Sequence, residues 1–277
     1  MDVSIIIVNY NTEKLVIDCI NSIINKTTNI NYEIIVVDNN SDNGSFNKII
    51  DTFPISSYIN TNCLDIKFIR NEQNIGFGLA NNEGFKQAKG EYLFCLNPDT
   101  IIVNNAIKIL YDFMENNTEC GACGGNLYDL NMKYVHSFGY GDDIKSLLLR
   151  KSFLKFFFLR EYIKIKKYEK NIDRTKLQEV NHLTGADLML RSNIIKNEIG
   201  GFSKNFFMYF EETELEIRLK RAGYKIFFVP DAKIIHLEGK SKNNNKKKFY
   251  KESYIEYYRL CYGEAWAKIA KLLTSKK

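Results

Sequence analysis

The fold class follows from YLFCLNPD at residues 92–99, where the apolar run Tyr92–Leu96 leads directly into the polar turn Asn97-Pro98-Asp99. A short apolar run that ends at turn residues is typical of a strand buried on both faces of a parallel sheet. The turn by itself is ordinary loop chemistry. However, an aspartate at the end of a buried strand can also hold a divalent cation against phosphate oxygens.

Three further apolar runs precede this one, and helical patterns separate them. The runs are VSIIIV at 3–8, EIIVV at 33–37 and IKFI at 66–69, and the helical patterns cover Leu15–Ile24, Leu79–Ala88 and Ala106–Met114. This alternation predicts an α/β fold with a Rossmann-like, mostly parallel central sheet flanked by helices. Ligands of such sheets bind at the carboxyl ends of the strands.

Polar residues follow all four predicted strands. The four segments are Asn9-Tyr10-Asn11, Asp38-Asn39-Asn40, Asn74-Ile75-Gly76 and Asn97-Pro98-Asp99. Because the carboxyl ends of parallel strands meet at one edge of the sheet, these side chains are expected to lie together. The sequence therefore predicts a site for a polar ligand at this edge.

An acidic cluster, Glu211, Glu212 and Glu214, opens a later helical pattern. Carboxylates are favourable at a helix N-terminus on dipole grounds alone, so a capping role is one interpretation. Aromatic residues flank the cluster, and a semi-apolar environment raises the pKa of a carboxyl towards that of a general base. A strand and turn after this helix end on His236, and a single histidine is more often structural than a ligand.

The bulk composition indicates a globular chain of one large or two small domains. It has 277 residues, 45% of them hydrophobic, and a net charge of +6 concentrated near 145–170 and 240–277. The pair Cys120 and Cys123 lacks the further ligands that a zinc site needs. With no signal peptide and no apolar run long enough to span a bilayer, we expect a cytoplasmic protein, at the inner face of the cell membrane if its basic segments bind lipid.

Taken in order over roughly residues 3–241, these segments resemble the inverting family 2 glycosyltransferases of the GT-A fold. The rhamnosyltransferase-like branch is the most similar, because Asn-Pro-Asp is common in its metal motif. The resemblance rests on VNYN at 8–11, VDNNS at 37–41, NIGF at 74–77, NNEG at 81–84, NPD at 97–99, TGA at 184–186, Arg191, EETEL at 211–215, RAGY at 221–224 and His236.

The resemblance implies a role for each matching position. Glu212 matches the catalytic base, with Glu211 and Glu214 as alternatives, and Asp99 with His236 would hold Mg²⁺ or Mn²⁺ on the diphosphate. The implied nucleotide and donor contacts are Asn9, Tyr10, Asn11, Asp38, Asn40, Gly76, Asn82, Asn97 and Asp99. The implied contacts to donor sugar and acceptor are Thr184, Gly185, Ala186 and Arg191. Two positions depart from the family pattern: Asn97 replaces an acid, and Glu212 replaces the usual aspartate.

The implied reaction moves a sugar, with rhamnose favoured by the branch, from a dTDP- or UDP-sugar to a hydroxyl of a cell-surface glycan or lipid-linked acceptor. The implied GT-A domain covers 1–241. Its nucleotide-binding half is 1–100, and its acceptor and catalytic half, 101–241, carries a basic aromatic insert near 140–178. Residues 242–277 would form a basic helical tail.

Other functional classes fit the sequence less well. A degenerate nucleotide-sugar-binding protein is the main alternative, given Asn97 and the Glu211-Glu212 pair. A nucleotidyltransferase would need a Gly-rich basic signature near the first strand, and a nucleic-acid partner is not expected without a recognition motif. The basic aromatic segments fit either an interfacial helix on an anionic membrane or a face packed on the same chain or on a second subunit of a homodimer.

Overall fold

The computed structural model describes residues 1–54, 61–139, 173–237 and 245–274, with short pieces at 144, 148–149, 154–160 and 162–163. Most of the predicted basic aromatic insert, and the residues 238–244 around the start of the predicted tail, therefore lie outside the described residues. The strands are β1 Val3–Asn9, β2 Tyr32–Asp38, β3 Cys63–Arg70, β4 Tyr92–Leu96, β5 Thr100–Ile102, β6 Cys120–Tyr128, β7 Phe138–Gly139, β8 Gln178–Glu179, β9 His182–Leu183, β10 Asp187–Arg191 and β11 Lys225–His236. The helices are α1 Glu13–Lys26, α2 Ser45–Thr52, α3 Phe77–Gln87, α4 Ala106–Asn116, α5 Leu154–Phe157, α6 Ser192–Ile194 with a π-helical turn over Ile195–Ile199, α7 Glu211–Arg221, α8 Lys246–Tyr262 and α9 Glu264–Thr274.

Within the described ranges, nine strands form one central sheet in the order β3-β2-β1-β4-β10-β6-β11-β5, with β8 also paired to β11. The strands β1, β2, β3 and β4 are mutually parallel, and β6 is parallel to β11. Strand β10 runs antiparallel between β4 and β6, so β6 and β11 point the same way as the first four strands. The predicted mostly parallel sheet is therefore confirmed.

The continuous apolar runs arise because both faces of this sheet are covered. Along β1, Ile5 and Ile7 belong to one core cluster, whereas Ile6 belongs to the other. Residues of helices α1 and α4 pack in the first cluster, and residues of α3 and α7 pack in the second. The result is a three-layer α/β fold in which the strand ends are the places left for polar side chains.

The far edge of the sheet brings two distant segments together. Strand β5 follows Asp99 directly and pairs antiparallel with β11, with Thr100 opposite His236. Strand β11 also pairs with β6, and its register shifts between Phe228 and Lys233. The ladder between β5 and β11 therefore places the end of β11 beside the turn after β4.

The last two helices confirm the predicted helical tail and pack on the same chain. Helices α8 and α9 pack against each other. Tyrosines of α8 share a third apolar cluster with Phe206 and Phe210, which precede α7. Lys247, Lys248 and Lys251 stay exposed on the outer face of α8. None of the helices in the described ranges is both long and apolar enough to cross a bilayer.

Candidate active site

Asn9 lies at the end of β1 and is completely buried. Its side-chain amide donates to Asp38 Oδ1 (2.7 Å) and Ser45 Oγ (2.9 Å), and its oxygen accepts from the backbone N–H of Thr12 (3.1 Å). Because its amide is turned inward, Asn9 joins the ends of β1 and β2 and the start of α2. Its position supports a role in shaping this loop pair and does not support the direct ligand contact that the sequence predicted.

Asp38, at the end of β2, is also fully buried. It accepts from Asn9, from Ser41 Oγ (2.6 Å) and from the backbone N–H of Ser41 (3.0 Å). The Nε of Arg70, the last residue of β3, lies 3.7 Å from Asp38 Oδ2. The half-exposed guanidinium of Arg70 is a positive group at this edge that sequence reasoning did not select, although its place at the end of an apolar run, IKFIR, was visible.

Tyr10, Asn11 and Asn40 form the solvent-facing part of the same edge. The side chain of Tyr10 is 47% exposed at the end of β1. Asn11 and Asn40 both adopt left-handed backbone conformations, with φ of 60° and 63°, and the side chain of Asn11 donates to Asp42 (2.8 Å). The loops after β1 and β2 therefore carry one exposed aromatic ring and two short amides.

The turn before α3 depends on Gly76. Its φ is +87°, and a Cβ at this position would lie 2.3 Å from the backbone oxygen of Phe207. The same oxygen accepts a hydrogen bond from the N–H of Phe77 (3.0 Å). Asn74 Oδ1 accepts from the N–H of Gly76 (3.0 Å) and from Asn39 (2.8 Å), which lies just after β2. The turn therefore connects the end of β2 with the segment that precedes α7.

Asn82 does not present its amide to this edge. Its Nδ2 donates to the backbone oxygen of Phe202 (2.8 Å), and its Oδ1 accepts from the N–H of the same residue (2.9 Å). A Cβ at Gly201 would lie 2.5 Å from Asn82 Oδ1, so the loop approaches α3 closely. These bonds support a positioning role, in which Asn82 holds α3 against the loop at 200–202, and do not support the predicted donor contact.

Asp99 and His236 form the candidate metal pair. His236 Nε2 lies 3.3 Å from Asp99 Oδ1, and the two side chains are 11% and 15% exposed. Adjacent ligands of an octahedral Mg²⁺ ion lie about 3 Å apart, since each metal–ligand distance is about 2.1 Å. One carboxylate and one imidazole at this separation fit a divalent cation that keeps most of its positions for phosphate oxygens and water.

Asn97 contributes no carboxylate to this pair. Its backbone N–H donates to the oxygen of Ala186 (2.9 Å), and its own backbone oxygen accepts from Thr100 Oγ1 (2.7 Å). Across the part of the chain that the structure describes, no group of three His, Cys, Asp or Glu side chains could hold a metal. A cation here would therefore depend on ligands from the bound diphosphate.

The predicted segment Thr184-Gly185-Ala186 joins the metal pair to the acidic cluster. Ala186 accepts from Asn97, as above, and Thr184 Oγ1 donates to the backbone oxygen of His136 (3.0 Å). A Cβ at Gly185 would lie 3.4 Å from Cγ and Cδ of Glu212. Gly185 therefore lies beside the Glu212 side chain, one residue before Ala186, which accepts from the turn that carries Asp99.

Glu214 is not available as a base. Its two carboxylate oxygens accept from Nε and Nη2 of Arg218, both at 2.8 Å. The same guanidinium donates to the backbone oxygens of Ile199 (2.7 Å) and Gly201 (2.7 Å). This pairing supports a structural role for Glu214 over the alternative role as base, because Glu214 anchors Arg218, which ties helix α7 to the loop at 199–201.

Glu211 and Glu212 occupy different environments. Burial raises the pKa of the Glu211 carboxyl well above its ordinary value, and the charge of Glu212 raises it further. Glu211 Oε2 is buried and has no hydrogen-bond partner among the described residues. Glu212 is partly exposed and lies against Gly185. Glu211 therefore favours its neutral form, and Glu212 is the carboxylate that faces the site.

The backbone immediately before Glu211 is strained. Tyr209 and Phe210 are consecutive non-glycine residues with φ of 74° and 68°. Each left-handed residue of this kind costs on the order of 1–3 kcal/mol and persists only where its surroundings hold it. No sequence signal marked this feature, because glycine or asparagine normally occupies such positions.

Arg191 lies at the opposite edge of the sheet. It pairs with Tyr92 at the start of β4, whereas the site is at the end of that strand. Its guanidinium donates to the Tyr92 hydroxyl (3.0 Å) and to the backbone oxygens of Cys120 (2.9 Å) and Asn117 (2.9 Å). This placement does not support the predicted contact of Arg191 with sugar or acceptor, since Arg191 binds the loop before β6.

Asp187, directly after the predicted TGA segment, was not selected from the sequence. It is buried at the start of β10, and burial raises the pKa of its carboxyl well above the ordinary value. Its Oδ2 accepts from the N–H of Gly125 (2.6 Å) and so fixes β6 against β10 next to Gly185. A charged residue opening the apolar run DLML was the available signal.

Known proteins resemble this chain in sequence and in fold. Residues 4–198 match the family described as Glycosyl transferase family 2. Glycosyltransferase GlyG of Streptococcus pneumoniae is 31% identical over 127 residues, which is 46% of this chain and 39% of GlyG. Rhamnosyltransferase WbbL of Escherichia coli is 24% identical over 182 residues, covering 58% of this chain and 60% of WbbL.

Among solved structures, GalNAc-T7 with UDP, GalNAc and Mn²⁺ superposes with a TM-score of 0.66 at 15% identity, over 94% of this chain and 48% of that chain. The chain thus covers less than two thirds of each of these three proteins. The family match spans more than half of the chain, and the central sheet has the GT-A arrangement of the solved neighbours. The chain therefore belongs to glycosyl transferase family 2 and has the GT-A fold.

Proposed function

We propose that this protein is an inverting, metal-dependent glycosyltransferase that takes a sugar from a nucleoside diphosphate donor. The observation that carries the proposal is the continuity of the site. The pair Asp99 and His236 connects through Asn97 and Ala186 to Gly185, against which Glu212 lies. A metal-diphosphate site and a carboxylate that can act as a base, both at one strand edge, are the two parts that direct displacement requires.

In the proposed reaction, Glu212 accepts the proton of an acceptor hydroxyl as that oxygen bonds to the anomeric carbon. The bond from this carbon to the diphosphate breaks at the same time, and its electron pair leaves with the nucleoside diphosphate. Asp99 and His236 would hold a divalent cation, and such a cation would supply charge neutralisation for the departing phosphates. One base and one displacement give inversion, because no covalent intermediate intervenes.

The donor is proposed to be a dTDP- or UDP-sugar, with rhamnose as the leading candidate. The name of WbbL supports rhamnose, and the UDP in GalNAc-T7 supports a pyrimidine nucleotide. The exposed Tyr10 ring at the end of β1 offers a stacking surface for the base. We propose a cell-surface glycan or lipid-linked hydroxyl as the acceptor, in keeping with the rhamnosyltransferase-like motifs.

A nucleotide-sugar-binding protein without transfer activity is the second candidate. The observation that favours it is Asn97, which removes one carboxylate from the metal motif. Such a protein would bind donor with Mn²⁺ but would neither transfer the sugar nor release it to water. Measuring turnover therefore separates the two candidates.

The experiment that tests the proposal compares Glu212→Gln with wild type. Thermal shift with UDP and dTDP, each with and without Mn²⁺, first identifies the nucleotide, because a ligand stabilises in proportion to its occupancy. Release of nucleoside diphosphate from the matching nucleotide sugars, with water or a glycan as acceptor, then measures turnover. We expect Glu212→Gln to lower kcat by on the order of 10²- to 10⁴-fold, with donor affinity unchanged.

The neighbouring carboxyl provides the matched control. Glu211→Gln replaces a group that favours its neutral form with a neutral amide of similar shape, so turnover should stay within a few-fold of wild type. Wild-type turnover in Glu212→Gln would remove Glu212 as the base. Nucleotide binding with no turnover in the wild-type protein would favour the non-catalytic candidate.

A further inference from the structure

The segment Asn205–Phe210, here called the base turn, is packed between two other parts of the chain. On one side, the backbone oxygen of Phe207 accepts from the N–H of Phe77 (3.0 Å), at the turn that Gly76 makes before α3. On the other side lies helix α8, since the Phe207 ring is 4.8 Å from that of Phe249. The base turn therefore contacts both the turn at Gly76, here called the donor-side turn, and the C-terminal helix α8.

Helix α8 supplies the packing around the strained residues. The ring of Phe210 lies 5.2 Å from Tyr250, 5.4 Å from Tyr254 and 5.5 Å from Tyr257, measured between centroids. Aromatic pairs at such distances stabilise beyond the area that they bury. Three of them meet at one of the two left-handed residues, which persist only where their surroundings hold them.

A backbone contact fixes the same turn from α8. Ser253 Oγ donates to the backbone oxygen of Met208 (2.8 Å), and Ser253 is buried. This hydrogen bond holds the residue immediately before the left-handed pair Tyr209 and Phe210. The tyrosine rings therefore restrain the side chain of Phe210, and Ser253 restrains the main chain.

The base turn sets the position of the carboxylates. The backbone oxygen of Phe210 accepts from the N–H of Glu214 (2.9 Å), so the orientation of Phe210 fixes the first turn of α7. At the other end of α7, Arg221 donates to the backbone oxygen of Cys261 near the end of α8. Helix α8 thus contacts α7 at its entry and at its exit.

We propose that helix α8 is a positioning element of the catalytic machinery, in which Ser253 and Tyr254 hold the base turn so that Glu212 faces Gly185. This inference rests on the proposed function, because it takes Glu212 as the base. The two residues act through the base turn and do not contact the reacting atoms. Helix α8 therefore affects the geometry of the active site although its residues do not line that site.

The kinetic test compares Tyr254→Ala, Tyr254→Phe and Ser253→Ala. Misplacing a catalytic group by about 1 Å can lower the rate on the order of 10²-fold. We expect Tyr254→Ala to lower kcat between about 10- and 100-fold with donor KM within about twofold, because the donor side of the site keeps its own contacts. Tyr254→Phe keeps the ring and should restore kcat, and Ser253→Ala should give a smaller loss.

The control for a merely structural role is Ile269→Ala on α9. Ile269 packs against the same apolar cluster from the second helix of the tail. Assays run at a temperature where every variant is folded should show lowered kcat in Tyr254→Ala and wild-type kcat in Ile269→Ala. Equal loss in both, or wild-type kcat in Tyr254→Ala, would overturn the inference. If Tyr254→Ala does not fold, Ser253→Ala carries the same comparison.

Amide hydrogen exchange gives a readout that needs no turnover. The Glu214 amide, which donates to Phe210, should exchange faster in Tyr254→Ala than in wild type and stay protected in Ile269→Ala. If the Glu214 amide exchanges at the same rate in Tyr254→Ala as in wild type, helix α8 does not restrain the base turn. If the wild-type protein binds donor but shows no turnover, the proposed function fails, and the exchange data still decide whether α8 holds the turn.

Discussion

Glu211 and Glu212 are adjacent in sequence, yet the fold gives them opposite roles. Helix α7 turns Glu211 into the protein, where it lacks a hydrogen-bond partner among the described residues for one oxygen, and turns Glu212 towards Gly185. Burial, and after it the charge of Glu212, raise the pKa of the Glu211 carboxyl well above its ordinary value. Glu211 therefore favours its neutral form, which fits its buried position and not the role of a base.

The raised pKa of Glu211 makes a prediction about stability. A carboxyl whose pKa is higher in the folded than in the unfolded protein contributes stability below its unfolded pKa of about 4.3 and loses it as pH rises towards the folded pKa. Glu211→Gln does not titrate. The Tm of wild type should therefore fall relative to that of Glu211→Gln as the pH rises above about 4.3 towards the raised folded-state pKa.

The size of this effect follows from linkage, at about 1.4 kcal/mol for each unit by which the folded pKa exceeds the unfolded one. Differential scanning fluorimetry at several pH values measures it. Glu83→Gln, on the surface of α3, controls for loss of a carboxylate in general. A constant difference in Tm between wild type and Glu211→Gln across this range would show that Glu211 is not held in its neutral form.

Among the secondary-structure elements, the turn before α3 is the most sensitive to substitution. Gly76 has φ 87° and ψ 172°, and an added Cβ would meet the Phe207 oxygen at 2.3 Å. Gly76→Ala should therefore lower the free energy of unfolding by more than the roughly 1–3 kcal/mol of backbone strain alone. It should also weaken turnover, because it pushes the base turn away from α3.

Gly263 is the matched control for this substitution. It has nearly the same backbone conformation, with φ 94° and ψ 170°, and an added Cβ would meet nothing within 4 Å. Comparing the denaturant unfolding of Gly76→Ala and Gly263→Ala therefore separates the cost of backbone strain from the cost of the close contact with Phe207. Equal losses of stability would mean that the approach of Phe207 adds nothing to the cost at Gly76.

The sequence predicted elements well wherever burial alone determines the pattern. Strands β1 and β4 are apolar on both faces because both faces of the sheet are covered, and the runs VSIIIV and YLFCL show this directly. The antiparallel insertion of β10 could not be predicted in the same way. Its run DLML is apolar on both sides too, and strand direction depends on pairing with β4 and β6 that no local pattern encodes.

Over the whole molecule, the fold brings some of the predicted site residues together and places others elsewhere. The metal pair was expected, and the ladder between β5 and β11 supplies its proximity. Asn82 and Arg191 were expected at the ligand, but their side chains bind backbone groups elsewhere in the fold. Motif positions identify residues that a site needs, and hydrogen-bond partners decide which of these reach the ligand.

The basic aromatic insert leads to a prediction about the surface of the molecule. In its described part, Phe156, Phe157, Phe158 and Leu159 are exposed by 70%, 75%, 53% and 51%. Lysine and arginine flank these residues in the sequence. We expect the protein to sediment with vesicles that contain anionic lipid at low salt and to be released at high salt, because screening weakens surface electrostatics.

The variant that tests this carries Phe158→Ser and Leu159→Ser together, which keeps every charge and removes apolar area. Its sedimentation with anionic vesicles should fall, while its donor binding stays at the wild-type level. Equal sedimentation of the variant and wild type would assign any vesicle binding to charge alone. If the protein does not sediment with vesicles at low salt, the insert packs on the same chain or on a second subunit and not on a membrane.

The packing of α8 on the base turn has a consequence for biosynthesis. A growing chain folds its earlier segments first as they leave the ribosome. The sheet, the metal pair and the donor-side turn can all form once residues up to 236 have emerged. Phe210 meets its tyrosine partners only after residue 257 has followed. The nascent protein therefore completes the strand edge that carries Asp99 and His236 before helix α8 fixes the base turn.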